Sequence, residues 1–382
     1  MTACRELAYD AFGRRVQAAC AGARVPLSGS IEITFRCNLR CVHCYIPDYS
    51  GRGEMSAAEI ERILSEAADA GCLWLLLTGG EVLLRSDFPR IYRHAKRLGC
   101  LVTVFSNGTL LDERIADLLA EYPPFGIEFT LYGLSDETYL KTTGFPGRFT
   151  RVRRAIDLCV TRGLPLSLKA VAMEPLRGEI EGMRRLAADL GLAFRYDTMV
   201  HGRLDGSDAP LAVRAAPRDV VSFDRDDPRR IADWLAFYKG YVAPGPQAVS
   251  YLMSCGAGVN AFHVDPKGTL LTCEALPLEG YDLRRGSFRE GWEAIGALRH
   301  RRAAPHNVCT ACELKAMCDR CPATALLETG SPDGWIPWYC EITHRRAALL
   351  EENLGNGEKS ARYRAHAERV AAGWTPPGAV LP

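Results

Sequence analysis

The sequence predicts an α/β fold, a parallel sheet of six βα units followed by a loop-rich, cysteine-dense region. Three observations predict it. From about Ser30 to Thr198, short apolar runs alternate with amphipathic stretches. Glycines end several of the amphipathic stretches, as helix C-caps do. Ten of the 15 cysteines in the 382 residues fall into two sets, one just after the first apolar run and one beyond residue 254.

The candidate strands are Ile31–Phe35, Leu73–Thr78, Leu101–Phe105, Ile127–Tyr132, Pro165–Ala172 and Leu192–Asp197. Several are apolar throughout, the pattern of parallel strands covered on both faces. The clearest helix spans Ser56 to Ala70. Ser56 and Glu59 form a capping box, Ile60, Ile63, Leu64 and Ala67 one stripe, and Gly71 the stop. Ser86–Leu98, Asp112–Glu121, Phe149–Arg162 and Ile180–Leu190 follow the same grammar, with Gly99, Gly163 and Gly191 closing three of them. Six βα repeats imply right-handed crossovers, with the chemistry at the C-terminal ends of the strands. From His201 to Arg230 the pattern breaks into what reads as a long connection, and a helix near Arg229–Tyr238 closes the unit. Arg345 to Ala371 reads as helical before a Pro/Gly-rich end.

Composition bounds the function. Hydrophobic residues make up 47% and charged residues 24%, ordinary for a globular chain. The net charge of +1 argues against nucleic acid or an anionic membrane as partner. No apolar run approaches the ~18–20 residues a bilayer span needs, and Met1–Leu27 lacks a signal-peptide core. These features lead to the expectation of a cytoplasmic protein, where clustered thiols mean metal or redox chemistry rather than disulfides. Cys72, Cys100 and Cys159 lie beside predicted elements and read as small buried hydrophobes.

The first cysteine set is Cys37-Asn-Leu-Arg-Cys41-Val-His-Cys44-Tyr45, directly after the first strand. At this cysteine frequency the spacing arises by chance roughly 0.02 times per chain. Three thiolates so spaced can wrap one face of an iron–sulfur cube and leave one iron open to a chelating small molecule. A zinc site is the rival reading; it would need a fourth protein ligand, and His43, inside the loop, is expected to point away.

This loop resembles the radical S-adenosylmethionine (SAM) superfamily, whose open iron takes the amine and carboxylate of SAM. The resemblance implies a partial (β/α)6 barrel of the radical SAM type, a [4Fe–4S] cluster on Cys37, Cys41 and Cys44, and cleavage of SAM to a 5′-deoxyadenosyl radical. Further residues fit the pattern. Tyr45 stands where relatives pack an aromatic near the adenine. Gly79-Gly80-Glu81 resembles the family's GGE motif, in which glycine admits close backbone approach and the glutamate meets the SAM ammonium. Ser106, Asn107 and Thr130 stand where relatives contact ribose or the methionyl end; strand-end capping explains these three equally well.

The second set is Cys255, Cys273, Cys309, Cys312, Cys318, Cys321 and Cys340, with four residues between Gly268 and Cys273. The spacing resembles the SPASM domain, a loop-rich C-terminal extension binding two auxiliary Fe–S clusters. The resemblance assigns Cys309, Cys312, Cys318 and Cys340 to the outer cluster. Cys255, Cys273 and Cys321 fall to an inner one with one open iron, giving three [4Fe–4S] clusters in all. One departure stands out: the family has three residues between the last two cysteines of the central run, and here Asp319-Arg320 leaves two. Two zinc sites are the rival reading. Glu274 occupies the place where sulfatase-maturing relatives carry a proton-accepting aspartate; a solvated surface carboxylate is the alternative.

The expected divisions are an N-terminal extension (1–29), a radical SAM partial barrel (30–235), a linker with the SPASM domain (236–350) and a C-terminal tail (351–382). The family implies a maturase that abstracts hydrogen from a ribosomally made precursor peptide and forms a crosslink or an oxidised residue. Similarity to the pyrroloquinoline quinone maturases in Thr130–Gly133, Thr143–Gly147, Phe194–Asp197 and Arg203–Gly206 points the same way. A small-molecule SPASM oxidoreductase, acting on an alcohol, sugar or porphyrin-type metabolite, is the alternative; a non-enzymatic iron–sulfur carrier is the third. The 29 residues before Ser30 are too few for a winged-helix leader-binding domain, so a separate leader-recognition protein is expected. A reductant such as flavodoxin or ferredoxin is the remaining expected partner.

Overall fold

The computed structural model describes residues 8–240, 251–305 and 307–381. Cys4 and part of the expected linker after residue 235 lie outside them. The strands are β1 Ser28–Thr34, β2 Trp74–Gly79, β3 Leu101–Ser106, β4 Gly126–Leu131, β5 Leu166–Val171, β6 Ala193–Asp197, β7 Ala261–Val264, β8 Thr269–Leu271 and β9 Tyr281–Asp282. All six strands read from the sequence are present. The helices are α1 Tyr9–Ala23, α2 Ala57–Asp69, α3 Phe88–Arg97, α4 Glu113–Glu121, α5 Asp136–Thr143, α6 Arg148–Thr161, α7 Ile180–Asp189, α8 Pro217–Arg225, α9 Pro228–Gly240, α10 Phe288–Ile295, α11 Pro322–Thr329, α12 Pro337–Asn353 and α13 Gly357–Ala371.

The strands form one sheet in the order β6-β5-β4-β3-β2-β1-β7-β8-β9. β1 to β6 run parallel, an open partial barrel of α/β type. β7 also pairs parallel with β1, placing Val264 beside Ile31, and β8 and β9 continue antiparallel. The C-terminal region thus extends the sheet of β1 to β6 instead of standing apart as a separate body.

One face of the sheet is apolar. Ile31, Leu77, Val104, Phe129 and Leu168 are buried against the helices. The opposite face carries Thr78, Phe105, Thr130, Lys169 and Arg195 around a cavity. Covering on both faces, expected from the apolar runs, holds for the helix side only; strand alternation aims the polar positions at the cavity. α2 shows why the local reading succeeds. Ser56 Oγ accepts from Glu59 N at 3.3 Å while Ser56 N donates to Glu59 Oε2 at 2.7 Å, and Ile60, Ile63, Leu64 and Ala67 are buried.

Several segments differ from expectation. β1 starts at Ser28, inside the expected extension 1–29. That extension holds α1, and Arg24 just beyond it lies 4.3 Å from the Trp292 ring of α10. The connection 201–230 contains α8, begun by Pro217, where a missing N–H costs nothing. α5 was also unread; Ser135 caps it and Gly144, at φ 76°, ends it. The helical reading of Arg345–Ala371 holds, carried by the end of α12 and by α13. Gly355, at φ 77°, turns the chain after α12, and α13 folds back on α12 with Tyr363, Ala367 and Val370 buried. No helix among the described residues is long and apolar enough to cross a membrane.

Candidate active site

The three-cysteine loop leaves β1 at the C-terminal edge of the sheet. Glu54 holds its start, accepting from Phe35 N at 2.7 Å and Thr34 Oγ1 at 2.8 Å. Its middle is tied to the end of α5 through Arg40 N to Thr143 O (2.9 Å) and Val42 N to Thr142 O (3.0 Å). Cys37, Cys41 and Cys44 face one cavity of about 380 Å³, a size that accepts a small cofactor. Burial pushes the Cys37 thiol up to about 12 and Cys41 well above its ordinary value, and the neighbouring thiols add to both shifts. Such thiols stay protonated in an empty cavity and ionise when a cationic centre joins them.

Gly79 and Gly80 line the same cavity. Gly79 sits at φ +141°, and a Cβ there would fall 2.2 Å from Thr34 O; one on Gly80 would fall 2.5 Å from Arg36 O. Gly80 N donates to Thr34 O and Glu81 N to Arg36 O. The two glycines therefore let the loop after β2 lie directly on the start of the cysteine loop. Glu81 does not line the cavity. Glu81 is 1% exposed, and its carboxylate accepts from Ser106 Oγ (2.8 Å), Leu83 N (3.0 Å) and Asn107 N (2.8 Å). Burial raises its pKa despite these donors. Glu81 thus acts on the cavity wall through Ser106 and Asn107, both of which line it. Asn107 Oδ1 accepts from Thr109 N and Oγ1, which leaves Nδ2 to donate toward Cys37 Sγ at 3.9 Å and Asn38 Oδ1 at 2.9 Å.

Thr130, Tyr45 and Glu274 also line the cavity. The Tyr45 hydroxyl donates to Glu32 Oε1 at 2.5 Å, and its ring lies 5.8 Å from His201. His43, expected to point away, lines the cavity with its ring 5.7 Å from Tyr132. Its Nδ1 has no hydrogen-bond partner among the described residues.

The C-terminal cysteines form two groups. Burial pushes Cys340 up to about 12, and Cys318, Cys312 and Cys309 add to the shift. Burial also raises Cys273 to about 11, with Glu274, Cys321 and Cys255 adding. The short Asp319-Arg320 spacer still sends its two flanking cysteines apart. Arg320 is anchored on Pro332 O (2.7 Å) and Gly334 O (3.0 Å). Cys318 packs by Tyr339, whereas Cys321 caps α11 and packs by Leu276.

Comparison with known proteins identifies the domain that carries this cavity. The radical SAM superfamily pattern matches residues 31–186. The chain carries a radical SAM domain. The AdoMet-dependent heme synthase of Methanosarcina barkeri is 28% identical over 337 residues, covering 78% of this chain and 92% of that protein. The PqqA peptide cyclase of Ruegeria pomeroyi is 28% identical over 354 residues, covering 87% and 92%. Streptococcus suis SuiB bound to its precursor peptide SuiA superposes with a TM-score of 0.63 at 17% identity, over 86% of this chain and 80% of that one.

The residues present fit the radical SAM cofactors. Three soft donors meet at one wall, and a glycine cradle that any Cβ would fill adjoins them. SAM and one [4Fe–4S] cluster belong to this domain. Sequence reasoning missed part of its wall. Lys169, on β5, lies 3.2 Å from the Phe105 ring centroid and 3.7 Å from the Glu128 carboxylate. Burial lowers its pKa to about 8 against the opposing pull of Glu128. The signal was a lone lysine in the apolar run Leu-Ser-Leu-Lys-Ala-Val. His263 was also missed, because only the pairing of β7 with β1 brings it to Glu32.

Proposed function

We propose that the chain is a radical SAM/SPASM peptide maturase holding two auxiliary [4Fe–4S] clusters besides the SAM-binding one. The observation that carries the reading is a shared wall. Glu274, which follows Cys273 of the auxiliary region, lines the same cavity as Cys37, Cys41 and Cys44. Substrate held there meets both halves of the molecule. The names of the PqqA peptide cyclase relatives and the peptide-bound SuiB structure support a peptide as that substrate.

When bound, the reduced cluster and SAM supply a 5′-deoxyadenosyl radical that removes a hydrogen atom from substrate. The chain's own residues do the rest. Asn107 directs an N–H at the Cys37 sulfur, and Glu81 fixes Asn107 through its backbone. Tyr45, tied to Glu32, forms the cavity wall beside the third cysteine. Lys169 offers a cation to a carboxylate of cofactor or substrate. Glu274 is the proton acceptor, as substrate oxidation releases a proton along with the electron. Cys309, Cys312, Cys318 and Cys340 would hold the outer auxiliary cluster, and Cys255, Cys273 and Cys321 the inner one. When bound, those auxiliary clusters would supply a sink for the electron that leaves the substrate with this proton, and flavodoxin or ferredoxin is the expected reductant.

The heme synthase relative favours a second reading, a porphyrin-type substrate. One experiment separates the two. The enzyme is co-expressed with a small peptide encoded beside it, with and without a candidate leader-recognition protein, and the peptide is measured by mass spectrometry. A mass change that requires Cys37, Cys41 and Cys44 supports the maturase. An unchanged peptide, together with a radical-dependent change in an added porphyrin, refutes it.

A further inference from the structure

Three potential metal ligands from α12 and α13 meet outside the radical SAM cavity. Cys340, His344 and His366 place their ligand atoms within 4.8 Å of one another. Cys340 and His344 are four residues apart on α12 and share a face. His366 comes from α13, beyond the last cysteine of the cluster-binding span. The arrangement is held firmly. The two imidazoles stack with centroids 3.8 Å apart and planes at 17°. Trp374 packs edgewise on His366 at 5.2 Å, and Arg369 lies 4.9 Å from the Trp374 ring.

Hydrogen bonds assign the tautomers. His344 Nδ1 lies 2.8 Å from the carbonyl oxygen of Cys340, which only accepts, so Nδ1 carries the proton and donates. Arg369 Nη2 lies 3.3 Å from His366 Nδ1. Arginine has donors alone, so this Nδ1 accepts and the ring proton sits on Nε2. His366 Nε2 lies 3.9 Å from Cys340 Sγ, and its N–H donates to that sulfur.

We propose that His366 is a positioning residue that raises the reduction potential of the outer auxiliary cluster by donating a hydrogen bond to the Cys340 sulfur. This rests on the reading that Cys309, Cys312, Cys318 and Cys340 hold that cluster. Reduction places more negative charge on cluster sulfurs, so an N–H donor favours the reduced form. α13 is thereby more than a buttress: it carries the donor, and Arg369, one turn further on, sets the donor's tautomer. A cluster so tuned is a better sink for an electron leaving the substrate.

The test uses full-length protein with Cys37, Cys41 and Cys44 replaced by alanine, reconstituted anaerobically, so that only auxiliary signals remain. Potentiometric titration followed by electron paramagnetic resonance compares this background with added His366→Phe, His366→Gln and Arg369→Leu. His366→Phe should shift one auxiliary signal to a more negative potential, by about tenfold in the reduction equilibrium or 59 mV for one electron. The other signal and the iron content should not change. His366→Gln, which keeps an N–H, should recover part of the shift, and Arg369→Leu should lose part of the potential. An unmoved potential in His366→Phe with iron intact overturns the proposal. So does a directly coordinated nitrogen in pulsed resonance spectra, which would make His366 a ligand. Cys340→Ala separates the two levels: retention of all auxiliary iron there refutes the ligand reading itself.

Discussion

His263 Nε2, on β7 of the C-terminal region, lies 3.3 Å from the Glu32 carboxylate on β1 of the radical SAM domain, with the two side chains only 3% and 1% exposed. Glu32 also accepts from the Tyr45 hydroxyl. One buried carboxylate therefore ties the cysteine loop, the first strand and the C-terminal region together. Removing one partner of such a pair costs about 3–5 kcal/mol, because the other charge is left buried and alone.

This pair makes stability depend on pH. Burial works to lower the His263 pKa, but the Glu32 hydrogen bond and charge outweigh it, and the net shift is upward. A base with a raised folded pKa contributes its full stability below the unfolded value, about 6.5, and loses it as pH rises through the folded value. The melting temperature should therefore fall as pH increases from about 6.5, and His263→Gln should flatten this dependence. Thermal unfolding of both proteins across pH 5–9 checks it; parallel curves would remove His263 as the cause.

The glycine cradle gives a steric prediction. Gly79 has a φ that L side chains rarely adopt, and its Cβ position lies on the Thr34 carbonyl. Neither backbone segment can retreat, since Gly80 N donates to that same carbonyl. Gly79→Ala should destabilise the fold by about 2–3 kcal/mol and weaken SAM binding with it. Gly53→Ala, at φ +75° with nothing within 4 Å of its Cβ, gives the cost of a positive φ without a clash. Calorimetry and equilibrium SAM binding compare the two. Equal losses would mean that the close approach contributes nothing.

Much of this architecture was legible because it is local. The six strands and α2 follow from periodicity, caps and terminal glycines, all within a dozen residues of each other. The meeting of Cys37, Cys41 and Cys44 at one cavity was legible because the three thiols lie in one short loop. The pairing of His263 with Glu32 was not, since it depends on β7 adding to β1 across more than 200 residues. Lys169 was hidden for a different reason: burial beside Phe105 makes a charged residue look like a break in an apolar strand. Glu81 shows the limit of a motif. Its position in the chain was readable, and Leu83 N caps it locally, but its other two donors come from the end of β3 and turn it toward Ser106 and Asn107.

Replacing Cys37, Cys41 and Cys44 with alanine should abolish SAM cleavage while the auxiliary iron persists. The three thiols meet at one wall, whereas the C-terminal cysteines group elsewhere around their own packing clusters. Loss of one cube in three predicts retention of about two thirds of the iron. Chromatography of 5′-deoxyadenosine and iron analysis of anaerobically reconstituted protein test both halves. Persistent cleavage would refute the assignment of the first cluster, and complete iron loss would refute the independence of the others.

Glu274 separates radical generation from substrate oxidation. It lines the cavity but belongs to the auxiliary region, next to Cys273, and is not among the residues that hold the cysteine loop. A proton acceptor at this place matters only after hydrogen has left the substrate. Glu274→Gln keeps the shape and removes the basic site, so 5′-deoxyadenosine should still form in the presence of peptide. Modified peptide should fall by about 100-fold, the lower range of a lost general base. Quantifying both products in one anaerobic reaction gives their ratio. If the two fall together, Glu274 supports SAM or cluster binding instead; if neither falls, the carboxylate has no part in the chemistry and the proton leaves by another route.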